Sequence, residues 1–201
     1  MPQEHTIYIV DDDEAVRGAL ALLMKSAGLK AETYESADAF LQYFDPQVGG
    51  CLLADVRMPG MTGLELQQEL VKRKIDVPVI IMTGHGDVAM AVSAMKAGAV
   101  DFIEKPFRNQ DLLDKIQQSL IKADELQASH HQRAEALERL ALLSNREREV
   151  MDLLVKGKLN KQIAAELDIS IRTVEAHRAK IMDKLQAKSL PDVVRISLME
   201  D

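Results

Sequence analysis

The sequence predicts a five-stranded, doubly wound parallel α/β domain followed by an all-α domain of four helices. Three observations carry that expectation. From residue 6 to about 122, short apolar runs alternate with stretches of helical spacing, as in successive βα units. Four of those runs end in groups able to do chemistry. Beyond residue 140 the strand signals stop, and capped helical segments follow one another without an aromatic residue.

The first strand is Thr6-Ile7-Tyr8-Ile9-Val10, which stops at Asp11-Asp12-Asp13. Val16, Leu20, Leu23 and Met24 then recur at helical spacing up to Gly28, a residue suited to a helix stop. Lys30-Ala31-Glu32-Thr33-Tyr34 reads as a short strand, and Phe40 and Phe44 mark the helix after it. Cys51-Leu52-Leu53-Ala54 closes on Asp55, and Val56-Arg57-Met58-Pro59-Gly60 opens a loop before a helix carrying Leu64 and Leu70. Val79-Ile80-Ile81-Met82 stops at Thr83-Gly84, and a helix with Val88, Ala91, Val92 and Met95 runs to Gly98. Val100-Asp101-Phe102-Ile103-Glu104 stops at Lys105-Pro106, ahead of a helix with Leu112, Ile116 and Leu120.

The segment from 122 to 139 is polar, with Leu126 and Leu137 as isolated apolar points. It reads either as a solvated helix continuing the last one or as helix plus hinge near Ser129-His130-His131. The resulting division is a first domain over 1–122, a helical linker over 123–140 and a second domain over 141–201. In the second domain Ser144-Asn145-Arg146-Glu147 is a capping box for a helix ending at Gly157. Helix 160–167, the turn Asp168-Ile169-Ser170 and helix 171–185 have helix-turn-helix lengths, and a fourth helix covers 189–199.

Composition narrows the functions. The 201 residues include one cysteine, Cys51, so a disulfide framework is excluded and a reducing cytosol suits the chain. No apolar run is long enough to span a membrane, and no basic segment of a secretory signal precedes the first strand. The net charge of −7 is uneven: residues 1–140 carry 14 Lys+Arg against 22 Asp+Glu, whereas 141–201 carry 11 against 10. That acidity opposes indiscriminate DNA binding, but a locally basic helix escapes the objection.

If the strands are parallel, their carboxyl ends share one edge, where open α/β sheets bind ligands. Asp11, Asp12, Asp55, Thr83 and Lys105 then meet in one cleft. Clustered carboxylates repel, and a bound cation relieves them. All-oxygen donors suit Mg2+. With the ion neutralising charge on an incoming phosphoryl group, Asp55 can attack phosphorus, while Lys105 and Thr83 take the remaining oxygens. The product is an aspartyl phosphate. Asp13 reads better as a helix N-cap.

In helix 171–185, Val174, Ile181 and Leu185 share an inward face. Arg172, Glu175, Ala176, Ala179 and Lys180 point away, with Arg178 and Lys184 at the flanks. Small residues at 176 and 179 permit close approach to a major-groove edge, and Glu175 can accept from cytosine. Lys161, Thr173 and Arg178 suit phosphate contacts.

Asp11-Asp12, Asp55 with Met58-Pro59-Gly60, Thr83-Gly84 and Lys105-Pro106 together resemble the signature of two-component receiver domains, whose fold is flavodoxin/CheY-like. The stretches 82–88 and 97–107 are similar to regulators of the FixJ type. The run from Ser144 to Val150 and Arg172-Thr173-Val174-Glu175-Ala176-His177-Arg178 resembles LuxR/NarL-type helix-turn-helix domains. The resemblance implies that Asp55 is the phosphoacceptor, and that Asp12, Asp55 and the backbone carbonyl of Arg57 hold Mg2+, with Asp11 assisting directly or through water. It further implies that Thr83 contacts the phosphoryl group, that Phe102 follows it inward as a switch, and that Lys105-Pro106 is cis.

The implied protein is a transcriptional regulator, not an enzyme, beyond slow self-phosphorylation and dephosphorylation at Asp55. A sensor histidine kinase donates the phosphoryl group, and receivers then pair through residues 87–122 to form a homodimer on promoter DNA, where RNA polymerase is a further partner. Val193, Val194 and Leu198 add a second dimer contact. The expected location is the cytosol, without membrane association. Two rivals stand beside this reading. A haloacid-dehalogenase-type phosphatase would use Asp11 as nucleophile and Asp13 as acid/base, and a pseudo-receiver would work without phosphorylation.

Overall fold

In the computed structural model, residues 5–45, 48–84 and 88–200 are described, those of 88–91 by their backbone alone. The chain divides into two compact units at Gln127/Ala128. The first contains β1 (Thr6–Val10), α1 (Glu14–Ser26), β2 (Lys30–Tyr34), α2 (Ala37–Tyr43), β3 (Gly50–Asp55), α3 (Gly63–Lys72), β4 (Val79–Thr83), α4 (Val88–Lys96) and β5 (Asp101–Glu104). α5 (Asn109–Ala141) begins in this unit and continues as one helix past its boundary.

The five strands are parallel in the order β2-β1-β3-β4-β5, as expected of a doubly wound sheet of the flavodoxin type. β1, β3 and β4 are buried along their whole lengths, which is why they read as unbroken apolar runs. One face of the sheet packs Tyr8, Phe40, Leu52, Leu66, Leu70 and Ile81 together. The other face packs Ile7, Leu20, Met24, Leu53, Ile80, Leu112 and Ile116. Cys51 lies in that second layer, where burial pushes its thiol up to about 12, so it remains a neutral, inert packing group.

Helix ends follow local chemistry. Asp13 caps α1 by accepting from the amides of Ala15 and Val16. Thr62 and Glu65 form a capping box at α3. Gly28 and Gly98, past the ends of α1 and α4, have φ of 74° and 97°, a conformation open to glycine at little cost. Among its described side chains, α4 turns few large residues toward the sheet. Val92 and Met95, two of the apolar residues at helical spacing, are nearly half exposed, and Ala94 is the residue that packs against the sheet layer. The small side chain faces the core and the two large ones face outward.

The second unit contains the end of α5 with α6 (Asn145–Val155), α7 (Asn160–Glu166), α8 (Ile171–Lys184) and α9 (Leu190–Ser197). Val150, Met151, Leu154, Ile163, Val174, Ile181, Leu185, Val193 and Ile196 form its core. Ala136 and Leu140 of α5 join that core, although both lie in the stretch the sequence assigns to a linker. Val193 is buried as well and is therefore unavailable for the dimer contact expected of it. Leu198 on the same helical segment is exposed. α7, a turn through Asp168 at φ 53° and α8 make the helix-turn-helix. Among the described residues no helix is long and apolar enough to cross a membrane.

Candidate functional site

The ends of β1, β3, β4 and β5 bring the expected cleft together. Asp11 follows β1 directly and its amide bonds the Tyr34 carbonyl at 3.3 Å. Asp55 is the last residue of β3 and is in register with Met82, one residue before Thr83. Thr83 is in register with Glu104, and its carbonyl accepts from the Lys105 amide at 2.7 Å, which carries the ladder one step beyond β5. The Lys105-Pro106 bond is cis.

At the centre is the Lys105 ammonium. Its Nζ donates to Asp11 Oδ2 at 2.7 Å and to Asp55 Oδ1 at 2.6 Å. Asp11 is 1% exposed and Asp55 9%, so both charges sit in a low-dielectric setting where an unpaired carboxylate is costly. Burial, the largest single effect on Lys105, pushes its pKa down. The hydrogen bonds and charges of Asp11 and Asp55 outweigh burial together and hold it above the ordinary lysine value, so it remains a cation.

The other oxygens are also assigned. Asp11 Oδ1 accepts from the Asp13 amide at 3.0 Å, and Asp55 Oδ2 accepts from the Arg57 amide at 2.6 Å. Both carboxylate oxygens of Asp11 are therefore engaged, and Asp13 is committed to capping α1. The side chain of Asp12 is exposed, and among the described residues its carboxylate has no hydrogen bond or ion pair. Thr83 is 3% exposed and its hydroxyl donates to the Gly84 carbonyl at 3.2 Å. Phe102 is 38% exposed, an outward setting for the residue expected to switch.

Two contributors escaped the reading of the sequence. Arg17, in the first turn of α1, donates from one Nη1 to the carbonyls of Asp11 at 2.8 Å and Asp12 at 3.0 Å. A signal for it existed, because helical side chains tilt toward the N-terminus and an arginine there reaches back over the preceding loop. Gly63 starts α3 so close to β3 that a Cβ on it would lie 2.3 Å from the Asp55 carbonyl oxygen. Nothing in the one-dimensional pattern announces that approach.

Among the described residues no group of three or more His, Cys, Asp or Glu converges as a metal cage. Mg2+ does not require one, because one or two carboxylates with water and phosphate oxygens complete its shell. Asp11 and Asp55 each accept from Lys105 and from one backbone amide, and Asp12 is exposed; with the carbonyl of Arg57 these groups form an all-oxygen donor set of the kind the ion prefers. The donor chemistry fits.

On α8 Val174 and Ile181 are buried, as is its C-cap Leu185, and Arg172, Glu175, Ala176, Ala179 and Lys180 are exposed, as is Lys161 on α7. Thr173 is half-buried, and its hydroxyl shares a 2.8 Å hydrogen bond with the capping Ser170. The Arg178 guanidinium donates to Asn160 Oδ1 at 2.5 Å, which ties it to the start of α7. Glu147 of α6, 4% exposed, receives Lys184 Nζ of α8 at 2.6 Å.

Comparison with known proteins agrees with both halves. The response regulator receiver domain family matches residues 7–117, and the luxR family of bacterial regulatory proteins matches residues 141–197. The transcriptional regulatory protein FixJ of Azorhizobium caulinodans is 48% identical over 99% of this chain and 94% of its own length. The response regulator protein TodT of Pseudomonas putida is 46% identical over 95% of this chain and 84% of its own. Among solved structures, the response regulator StyR superposes with a TM-score of 0.81 at 42% identity, covering 97% of this chain and 98% of that one. Full-length FixJ from B. japonicum gives 0.59 at 43% identity, covering 98% and 97%. With a receiver half built around an ammonium between two buried acids and a helix-turn-helix half following it in the sequence, this chain belongs to the FixJ-like two-component response regulators, which are phosphorylation-activated regulators of transcription.

Proposed function

We propose that Asp55 is the phosphoacceptor of this regulator and that a sensor histidine kinase supplies the phosphoryl group. The observation that carries the assignment is the Lys105 ammonium held between Asp55 and Asp11 at 2.6 and 2.7 Å. An oxygen of Asp55 attacks phosphorus, the phosphorus bond to the donor breaks, and the donor leaves with that electron pair. Lys105 and the Thr83 hydroxyl then receive the oxygens of the new aspartyl phosphate. Asp12, Asp55 and the Arg57 carbonyl would hold Mg2+, with Asp11 assisting directly or through water, and the ion would supply neutralising charge to the phosphoryl oxygens. Self-phosphorylation and dephosphorylation are slow side activities of the same site.

The output is double-stranded promoter DNA read by α8. Arg172, Glu175, Ala176, Ala179 and Lys180 form the face toward the groove, and Lys161, Thr173 and Arg178 serve the phosphates. On phosphorylation Thr83 turns to the phosphoryl group, Phe102 moves inward, and two receivers pair through the surface of residues 87–122. The exposed Val92, Met95 and Phe102 favour that surface; residue 87 lies outside the described residues. The functional division follows as receiver 1–122, linker 123–140 and DNA-binding domain 141–201, working in the bacterial cytosol with RNA polymerase as a partner at the promoter.

Incubation with labelled acetyl phosphate and Mg2+, followed by mapping of the modified aspartate, tests the assignment. The label is expected on Asp55, acetate is the leaving group, and Asp55→Asn abolishes both labelling and the gain in promoter binding. Label on Asp11 with rapid turnover of phosphomonoesters would overturn it in favour of a phosphatase. Full activation of the unlabelled Asp55→Asn protein would overturn it in favour of a pseudo-receiver.

A further inference from the structure

Three consecutive carboxylates open the cleft, yet they point to three different tasks. Asp11 accepts from Lys105 and from the Asp13 amide. Asp13 is consumed by the first turn of α1, accepting from Ala15 at 2.8 Å and Val16 at 3.4 Å. Only Asp12 keeps its carboxylate outward, and it does so while its own carbonyl and that of Asp11 are both held by Arg17. The guanidinium thus clamps two successive peptide units through their carbonyls. Such a clamp opposes the rotation by which neighbouring like charges would otherwise separate.

We propose that Arg17 is a positioning residue of the phosphorylation site, fixing the Asp11-Asp12 backbone so that the Asp12 carboxylate is presented to Mg2+. The inference rests on the assignment of the metal to Asp12 and Asp55. Arginine suits the task because its planar fork is already organised for several hydrogen bonds, so little freedom is lost on forming them. Partners that orient metal ligands from behind typically matter about 10–100-fold to metal affinity.

Geometry and charge predict opposite outcomes here. Arg17 is a cation near a site for another cation, so as a bare charge its removal would tighten Mg2+ binding. As a clamp, its removal weakens binding. Isothermal titration of the full-length, unphosphorylated protein with MgCl2 separates the two. Arg17→Met is expected to raise the Mg2+ dissociation constant by about tenfold. Arg17→Gln, also neutral but able to donate, should shift it in the same direction by less. The rate of Asp55 labelling by acetyl phosphate should need more Mg2+ in both variants and return to the wild-type rate at saturation. Affinity equal to or tighter than wild type, in whichever of the two variants keeps its thermal unfolding transition, would overturn the proposal and leave the Asp55 assignment standing. A wild-type protein that binds no Mg2+ would overturn the metal assignment as well.

Discussion

At the scale of single residues, the site depends on groups whose importance comes from what approaches them. Asp55, Thr83 and Lys105 were legible because each ends an apolar run, and parallel strands must bring such ends to one edge. Gly63 was not legible. Its requirement comes from the 2.3 Å that would separate a Cβ from the Asp55 carbonyl oxygen, a distance set by how α3 leaves β3. Gly63→Ala should therefore push α3 and the end of β3 apart. Overpacking of this kind typically costs about 1–3 kcal/mol. The expected outcome is a lower melting temperature together with slower labelling of Asp55 by acetyl phosphate. Wild-type labelling kinetics would show that the acceptor tolerates the displacement.

At the scale of elements, period and caps told most of the story, and packing partners told the rest. The strands and the inward face of α8 follow from runs and spacing alone. The inward face of α4 does not, because a stripe of Val92 and Met95 carries the same periodicity whether it meets a core or a partner. Ala136 and Leu140 went unrecognised as core because the polar stretch before residue 140 showed only Leu126 and Leu137 as apolar points, and of these Leu137 is 40% exposed. α7 shows the converse, a helix whose position is right and whose cap is poor. Leu159 stands at its N-cap, 70% exposed, and has no oxygen to accept from the first amides; Gln162 Oε1 receives the Leu159 amide at 2.8 Å and completes only half of a capping box. Leu159→Ser supplies the missing acceptor and surrenders almost no buried surface. It should stabilise the second unit by about 1 kcal/mol, read as a rise in that unit's thermal transition; a fall would show that the exposed leucine contributes packing of its own.

At the scale of the whole molecule, two cores with separate membership imply two cooperative units that answer to different ligands. Mg2+ binds only the first in the proposed assignment, so saturating it should raise one calorimetric transition, by about 2.7 kcal/mol at a hundred times the dissociation constant. Acid should act on the other through Glu147. The hydrogen bond from Lys184 and then that from the Ser144 amide hold its carboxyl down at about 2, against an ordinary value of 4.5. A depressed folded-state pKa means stabilisation that is complete above the unfolded value and lost as the pH falls from 4.5 toward 2. Lys184 also donates to the Leu142 carbonyl at 3.0 Å, so protonating Glu147 loosens the junction of α5, α6 and α8 together. The expected record is two transitions, the first moved by MgCl2 and the second lowered between pH 4.5 and 2. Glu147→Gln should lower the second at neutral pH and flatten its acid dependence relative to wild type. A single transition moved by both agents would show that the two cores melt as one, with the continuous helix α5 binding their stabilities together.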